Sequence, residues 1–295
     1  MSLKPILSIC IPVFNRKKEI FYLLDSIVST AKVEVIIVDD GSTDDLEKAI
    51  NDKKYFFQLK YFKTINRGRS SALADAIKHS TGQYIMIMDS DDYFLPDGIE
   101  NIIKNIKFNP DIESFLFGVE VIRNGQVRKN LPPKNLLTNF IKLRADYKVK
   151  GDMKEVVNSN IIKKCIYHKS YLYRRSPTSL IWECVSKYAA CLTIAKCIIV
   201  KNYNPKGMSA NIGKLIYDNP YPMYDLNVRY LNSGLYNSRL FRLKSKIQLY
   251  RYSLHIKKRI KFIFADFISI ILGFLLFEYD KFIFSKRNKI FNKYD

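Results

Sequence analysis

The 295-residue chain carries 49 Lys and Arg against 28 Asp and Glu, a formal net charge of +21, and 47% of its residues are apolar. That apolar content excludes a disordered polycation, and 11 Gly with 10 Pro exclude a fibrous or low-complexity chain. So large a basic surplus calls for an anionic partner: nucleic acid, an anionic membrane or a phosphorylated substrate.

Leu7 to Phe14 is an apolar run ending at Asn15 and predicts a buried strand. Ile20, Leu23, Leu24, Ile27 and Val28 share one face of a helix. Val33 to Val38 predicts a second strand stopping at Asp39-Asp40-Gly41, and Asp44 with Glu47 predicts the cap of a short helix. Tyr61 to Thr64 reads as a third strand and Ser70 to His79 as a helix. Tyr84 to Met88 reads as a fourth strand, running into Asp89-Ser90-Asp91-Asp92. Further on, Phe115 to Ile122 predicts a strand and Asn124-Gly125 a hairpin turn. Leu136 to Tyr147 and Leu180 to Leu192 predict helices, and Ile198 to Tyr203 a last strand. Asp218-Asn-Pro-Tyr-Pro222 marks a boundary. Five Cys (Cys10, Cys165, Cys184, Cys191, Cys197), without C-x-x-C spacing, predict buried thiols in a reduced chain. No secretory signal is read at the N-terminus, since Pro12 interrupts the apolar run. No stretch reaches about 18 uncharged apolar residues; Phe262 to Phe277 comes nearest and contains Asp266.

Four strands separated by helices imply right-handed crossovers and a mainly parallel α/β sheet, whose ligands bind beyond the carboxyl ends of the strands. Asn15-Arg16, Asp39-Asp40, Asn66-Arg67-Gly68-Arg69 and Asp89-Ser90-Asp91-Asp92 all fall at those ends. Three carboxylates within four residues would repel one another, and a Mg²⁺ or Mn²⁺ ion completing its shell with substrate phosphates resolves this. Arg67 and Arg69 have the bidentate geometry that phosphate oxygens accept. No G-x-G-x-x-G follows the first strand and no Walker lysine loop occurs.

Ser8-Ile-Cys-Ile-Pro-Val-Phe-Asn15, Val35-Ile-Ile-Val-Asp-Asp-Gly-Ser-Thr-Asp44, Asn66-Arg-Gly-Arg-Ser-Ser-Ala72 and Gly82-Gln-Tyr-Ile-Met-Ile-Met-Asp-Ser-Asp-Asp92 appear in order. Together they resemble the family 2 inverting glycosyltransferases over roughly the first hundred residues. The resemblance implies a GT-A fold and a nucleotide-sugar donor. It implies that Asp40, beside Asp39, binds the base, that Arg69 binds base or diphosphate, and that Asp89 and Asp91 are a DXD motif for ribose and metal. Phe14 would stack on the base in a pocket that Pro12 lines, next to Asn15. The family's catalytic acid follows an Arg/Pro-containing stretch. Arg174 to Glu183 resembles that stretch, making Glu183 the implied base, while Cys184 stands where the family usually has Asp. His79 and His168 are weaker base candidates, and Trp182 is placed either to stack on a sugar or to fill the core.

From Leu226 onward, 15 Lys and Arg face four acids, so +11 of the surplus lies in 70 residues. Leu240, Leu243, Ile247, Tyr250 and Leu254 form a stripe flanked by Arg242, Lys244, Lys246, Arg251 and Lys257. Such a basic amphipathic helix suits an anionic membrane surface. Phe262 to Phe277 adds an apolar segment, and Lys281, Lys286, Arg287 and Lys289 follow.

The expected architecture is therefore a GT-A catalytic domain over residues 1–217 (nucleotide half 1–110, acceptor half 111–217) and a membrane-attaching region over 218–295. The expected function is metal-assisted sugar transfer to a lipid-linked or cell-surface glycan (capsule, O-antigen or lipooligosaccharide) at the cytoplasmic face of a bacterial inner membrane. Nucleic acid is not an expected partner, for no recognition motif occurs. Transfer to polyprenyl phosphate, and a non-catalytic membrane or nucleic-acid binding module, are the alternative readings.

Overall fold

A computed structural model describes residues 4–29, 31–202, 211–259 and 264–291. The N-terminal third alternates as its apolar runs dictate: β1 (Leu7–Val13), α1 (Lys17–Asp25), β2 (Val33–Asp39), α2 (Leu46–Asn51), β3 (Gln58–Lys63), α3 (Arg69–His79) and β4 (Tyr84–Ile87). Every residue of β1, β2 and β4 is buried, as unbroken apolar runs require of strands covered on both faces. Then come β5 (Asp92–Phe94), α4 (Gly98–Phe108), β6 (Ser114–Arg123), β7 (Gln126–Asn130), β8 (Leu137–Thr138), α5 (Phe140–Ala145), β9 (Lys154–Asn158), α6 (Ser159–Lys164), α7 (Ser179–Tyr188) and β10 (Cys191–Asn202). The chain closes with α8 (Ile212–Asp218), α9 (Tyr221–Ser233), α10 (Arg239–His255) and α11 (Phe267–Phe291).

The sheet runs β3-β2-β1-β4-β9-β6-β10-β5, with β7 beside β6 and β8 beside β10. The β3 to β4 block is parallel, as expected. The whole sheet is mixed rather than mainly parallel, because β9 inserts antiparallel between β4 and β6, and β5, β7 and β8 add antiparallel edges. One apolar core lies between the sheet and α1 with α4, the other under α3, α5, α6 and α7.

Several local expectations change for identifiable reasons. Asp44 caps α1, accepting from Lys17 N at 2.9 Å, while Asp45 in the left-handed region opens α2. The helix expected from Leu136 starts only at Phe140, since Leu137–Thr138 pairs with β10 and Asn139 accepts from Lys142 N at 2.8 Å as the cap. The helix expected to reach Leu192 ends at Tyr188, because Cys191 already belongs to β10. That strand is longer than Ile198 to Tyr203, and Tyr203 lies outside the described residues. Asn124 and Gly125 both take positive φ, as a two-residue hairpin turn needs. Cys165 and Cys184 correct the expectation of five thiols: packing of α6 on α7 sets their Cα atoms 5.4 Å apart, within disulfide reach, and they are bonded. Cys10, Cys191 and Cys197 are buried thiols.

The basic helix α10 does not lie with one side free. It packs between α9 and α11, and part of its charge turns inward. Lys246 and Tyr250 bind Asp266; Arg251 and His255 bind Asp280. Gly273 of α11 allows this closeness: a Cβ there would come within 2.7 Å of Tyr250 Cβ. The apolar segment begins outside the described residues at Phe262, as do the side chains of Lys286, Arg287 and Lys289. Among the described residues, no helix is long and apolar enough to cross a membrane.

Candidate active site

The strand-end loops are stitched together by the residues that the motifs supply. Asp39 is fully enclosed, accepting from Ser42 N at 2.7 Å and from the Tyr61 hydroxyl at 2.5 Å. Asp40 spends both oxygens on the next loop, accepting from Arg67 N and Gly68 N at 2.7 Å each. Burial raises its carboxyl above the usual range despite those two bonds. Asn15, at positive φ, donates its N–H to Ser42 Oγ at 2.9 Å and accepts from Thr43 N at 2.9 Å. Pro12 is buried inside β1, while Phe14 stands at the rim with 45% of its surface exposed. Asp39 and Asp40 therefore hold the loops, and Phe14 is the group left open to a ligand.

Gly68 is the joint. Its φ of 98° and the Arg174 backbone, 2.4 Å from where a Cβ would stand, leave room for glycine alone. The contact docks the 174–176 segment on the start of α3, where Ser176 N donates to Ser70 Oγ at 2.5 Å. Two guanidinium groups meet there. Arg69 pairs with Asp89, whereas Arg175 has a buried Nη1 that has no hydrogen-bond partner among the described residues. Burial and the charge of Arg69 lower the Arg175 pKa.

Asp89 also lies 3.3 Å from Lys201 Nζ, which approaches Asp92 at 3.6 Å and Asp152 at 3.7 Å. Lys154 donates to Ile87 O and sits 3.8 Å from Asp92. Burial pushes the Asp92 carboxyl up to about 7, against the pull of Lys201 and Lys154. Sequence reasoning missed both lysines and Arg175. The available signal for the lysines was a charge inside a strand pattern, at Lys154-Glu-Val-Val and Ile198-Ile-Val-Lys201.

The two carboxylates expected to form a DXD motif are thus unequal. Asp89 has one oxygen on Arg69 and the other facing Lys201, which suits it poorly to hold a metal. Asp91 is half-buried, and its carboxyl is raised by burial and then by Asp89. It fits a divalent ion that takes one protein carboxylate and completes its shell with substrate phosphates. Among the described residues, no group of three or more His, Cys, Asp or Glu forms a metal cage.

A cleft of about 210 Å³ is lined both by residues of this charged cluster, Arg69, Asp89 and Lys201, and by Trp182, Glu183 and Tyr230 from the second half of the chain. Trp182 leans on Phe140 at 5.5 Å between ring centres. Glu183 is only 1% exposed, with Lys187 Nζ at 2.6 Å and Arg229 Nη1 at 3.6 Å. Arg229 and Tyr230 come from α9, beyond the expected division after residue 217. His79 stacks on Phe62, His168 packs edge-on to Tyr167, and neither lines the cleft.

Residues 8–170 match the family described as glycosyl transferase family 2. The chain belongs to that family and is a glycosyltransferase. An uncharacterized glycosyltransferase of Rickettsia felis is 38% identical over 104 residues, 35% of this chain and 17% of that protein. The poly(ribitol-phosphate) beta-glucosyltransferase of Bacillus spizizenii is 37% identical over 115 residues, 37% of this chain and 18% of that protein. The aligned part spans about a fifth of these relatives' length. S. aureus TarS in complex with UDP-GlcNAc shares the fold, with a TM-score of 0.60 and 16% identity over 90% of this chain and 79% of that one. The mannosyltransferase PcManGT of Pyrobaculum calidifontis, in complex with GDP-Man and Mn²⁺, does so with a TM-score of 0.54 and 14% identity, over 96% and 84%. The architecture is thus an α/β fold with a mixed sheet, similar to GT-A glycosyltransferases.

Proposed function

We propose that this glycosyltransferase transfers a sugar from a UDP- or GDP-sugar to a lipid-linked or cell-surface glycan acceptor, by direct displacement with inversion. The observation that carries the reading is one cleft lined by both a cationic cluster and carboxylates with an indole. Its lining offers Arg69 and Lys201 to the donor's phosphates, with Arg175 packed close by. The same lining offers Trp182 and carboxylates to a sugar and an attacking hydroxyl. Phe14 at the rim supplies a stacking surface for the base. Asp91 would hold a Mn²⁺ or Mg²⁺ ion, which when bound supplies Lewis-acid stabilisation to a departing diphosphate. The relatives named for UDP-GlcNAc and GDP-Man complexes support this donor class.

The acceptor and location rest on the C-terminal helices. Ile268, Ile271, Leu272, Phe274, Leu275 and Tyr279 of α11 are 40–64% exposed, while Asp266 and Asp280 are buried. A helix pair with ion pairs inside and apolar side chains outside inverts the ordinary soluble pattern. With +11 in this region, the surface suits an anionic bilayer and a peripheral enzyme at the cytoplasmic face of the inner membrane.

The test is a melting-temperature panel of UDP- and GDP-sugars with and without Mn²⁺, followed by nucleoside diphosphate release. At least one donor should stabilise the protein, more with Mn²⁺, and Asp91→Ala should remove the metal-dependent part. No stabilisation by any donor would sink the reading.

A further inference from the structure

The carboxylates of the cleft differ in what already holds them. Asp89 is bound by Arg69 and Lys201, and Asp152 lies 3.7 Å from Lys201. Glu183 is sealed, with Lys187 and Arg229 against it. These carboxylates are already engaged by the protein's own cations. The residue after it, Cys184, is bonded to Cys165 and offers no acid. Glu155 stands apart. It lines the cleft from β9, and among the described residues its carboxylate has no hydrogen bond or ion pair to another residue.

Register explains its place. β9 runs antiparallel to β4 with Val156 beside Met86, so Glu155 comes level with the end of β4, just before Asp89. Val157, two residues on, belongs to the core under α5 and α7. Alternation puts Glu155 on that same face of the sheet, where the core opens into the cleft. Burial raises its carboxyl above the usual range, outweighing the pull of Lys154, Arg144 and Lys201. A carboxylate raised above its usual range is a stronger proton acceptor than an ordinary one.

We propose that Glu155 is the general base of the transfer, an assignment that rests on the glycosyl-transfer reading above. The acceptor hydroxyl gives its proton to the Glu155 carboxylate as its oxygen bonds to the anomeric carbon. The bond from that carbon to the diphosphate oxygen breaks, and its electron pair leaves with the nucleoside diphosphate toward Arg69 and Lys201. Glu183 is then a positioning residue that ties α7 to α9 through Arg229.

The experiment uses the full chain with Mn²⁺ and a panel of UDP- and GDP-sugars including UDP-GlcNAc and GDP-Man. It reads the donor-induced rise in melting temperature, nucleoside diphosphate release, and the pH profile of kcat. Glu155→Gln should lower turnover about 100-fold or more and keep the wild-type donor shift. Glu155→Asp should recover part of the rate, and the acid-side fall of the pH profile should vanish from the residual activity of Glu155→Gln. Turnover of Glu155→Gln within threefold of wild type, with the donor shift intact, overturns the base assignment alone. Loss of the donor shift in Glu155→Gln also overturns it, making Glu155 a binding or structural residue. If no donor shifts the wild-type protein, the glycosyl-transfer reading falls and the base assignment falls with it.

Discussion

The strand-end cluster and the C-terminal helix pair both gather opposite charges, yet they are built in opposite senses. At the strand ends Arg69 and Lys201 hold Asp89 on the wall of an open cleft, with more charge than the protein itself neutralises tidily. Asp92 is 2% exposed, and among the described residues neither its Oδ2 nor the Arg175 Nη1 has a hydrogen-bond partner. In the helix pair Asp266 and Asp280 are closed into a seam, and α11 turns its apolar side chains outward. A ligand site leaves polar groups unfinished for its ligand to complete. An attachment surface finishes its polar groups internally and leaves apolar area for something else to cover. On the proposed reading, the +21 surplus divides into two kinds of basic residue with different physical tasks.

The comparison breaks most severely at Lys201. Lys201→Met leaves Asp89, Asp92 and Asp152 facing one another, so transfer should be lost and unfolding should be about 3 kcal/mol easier in urea titrations. A variant of wild-type stability would show that the strand-end charges are solvated and not a preloaded cluster. Next in size, Asp280→Leu strips Arg251 and His255 of their partner and should destabilise the helix pair by about 2 kcal/mol. Hydrogen exchange should rise in residues 239–283 and stay unchanged in β1 to β4. Uniform loosening of both regions would mean that they are not separately organised.

Asp92 of the one cluster and Asp280 of the other should also respond to pH with opposite signs. Unfolded Asp titrates near ~3.9. Asp92, pushed up to about 7 by burial, binds an extra proton in the native state between those values, so its contribution falls as pH rises from about 4 to 7. Asp280 is opposed by burial, but His255 and Arg251 outweigh it and hold the carboxyl below its usual range. Its stabilising contribution is present above ~3.9 and is lost as pH falls through the lowered native value. Asp92→Asn should flatten the first slope, and Asp280→Asn the second, in melting curves taken from pH 3 to 8. The smallest effect on stability belongs to Leu275→Asp on the outward face, within about 0.5 kcal/mol in solution. The same change should weaken flotation of the full chain with anionic vesicles. A stability loss above about 1 kcal/mol would place that face against protein instead.

Much of the nucleotide-binding half was legible because its information is local. Alternating apolar runs and polar strand ends place Asn15, Asp39, Asp40, Arg69 and Asp89 at the carboxyl ends of β1 to β4. Their division of labour was not legible. Asp40 binds the Arg67 and Gly68 N–H groups, and Asp39 binds Tyr61, because each is level with a loop from a neighbouring strand. The second half was harder, since β9 owes its antiparallel place between β4 and β6 to long-range pairing.

By itself, the sequence determined the parallel block β1 to β4, the family, and which acids and arginines stand at the strand ends, since each follows from short-range periodicity and motif order. Tertiary structure decided which carboxylates are spoken for and which charges turn inward. Burial and partner choice depend on residues far apart in the chain, as Lys201 does on Asp89 and Arg229 on Glu183. Only the folded packing distinguishes the basic residues of the candidate cleft from those of an inverted helix pair.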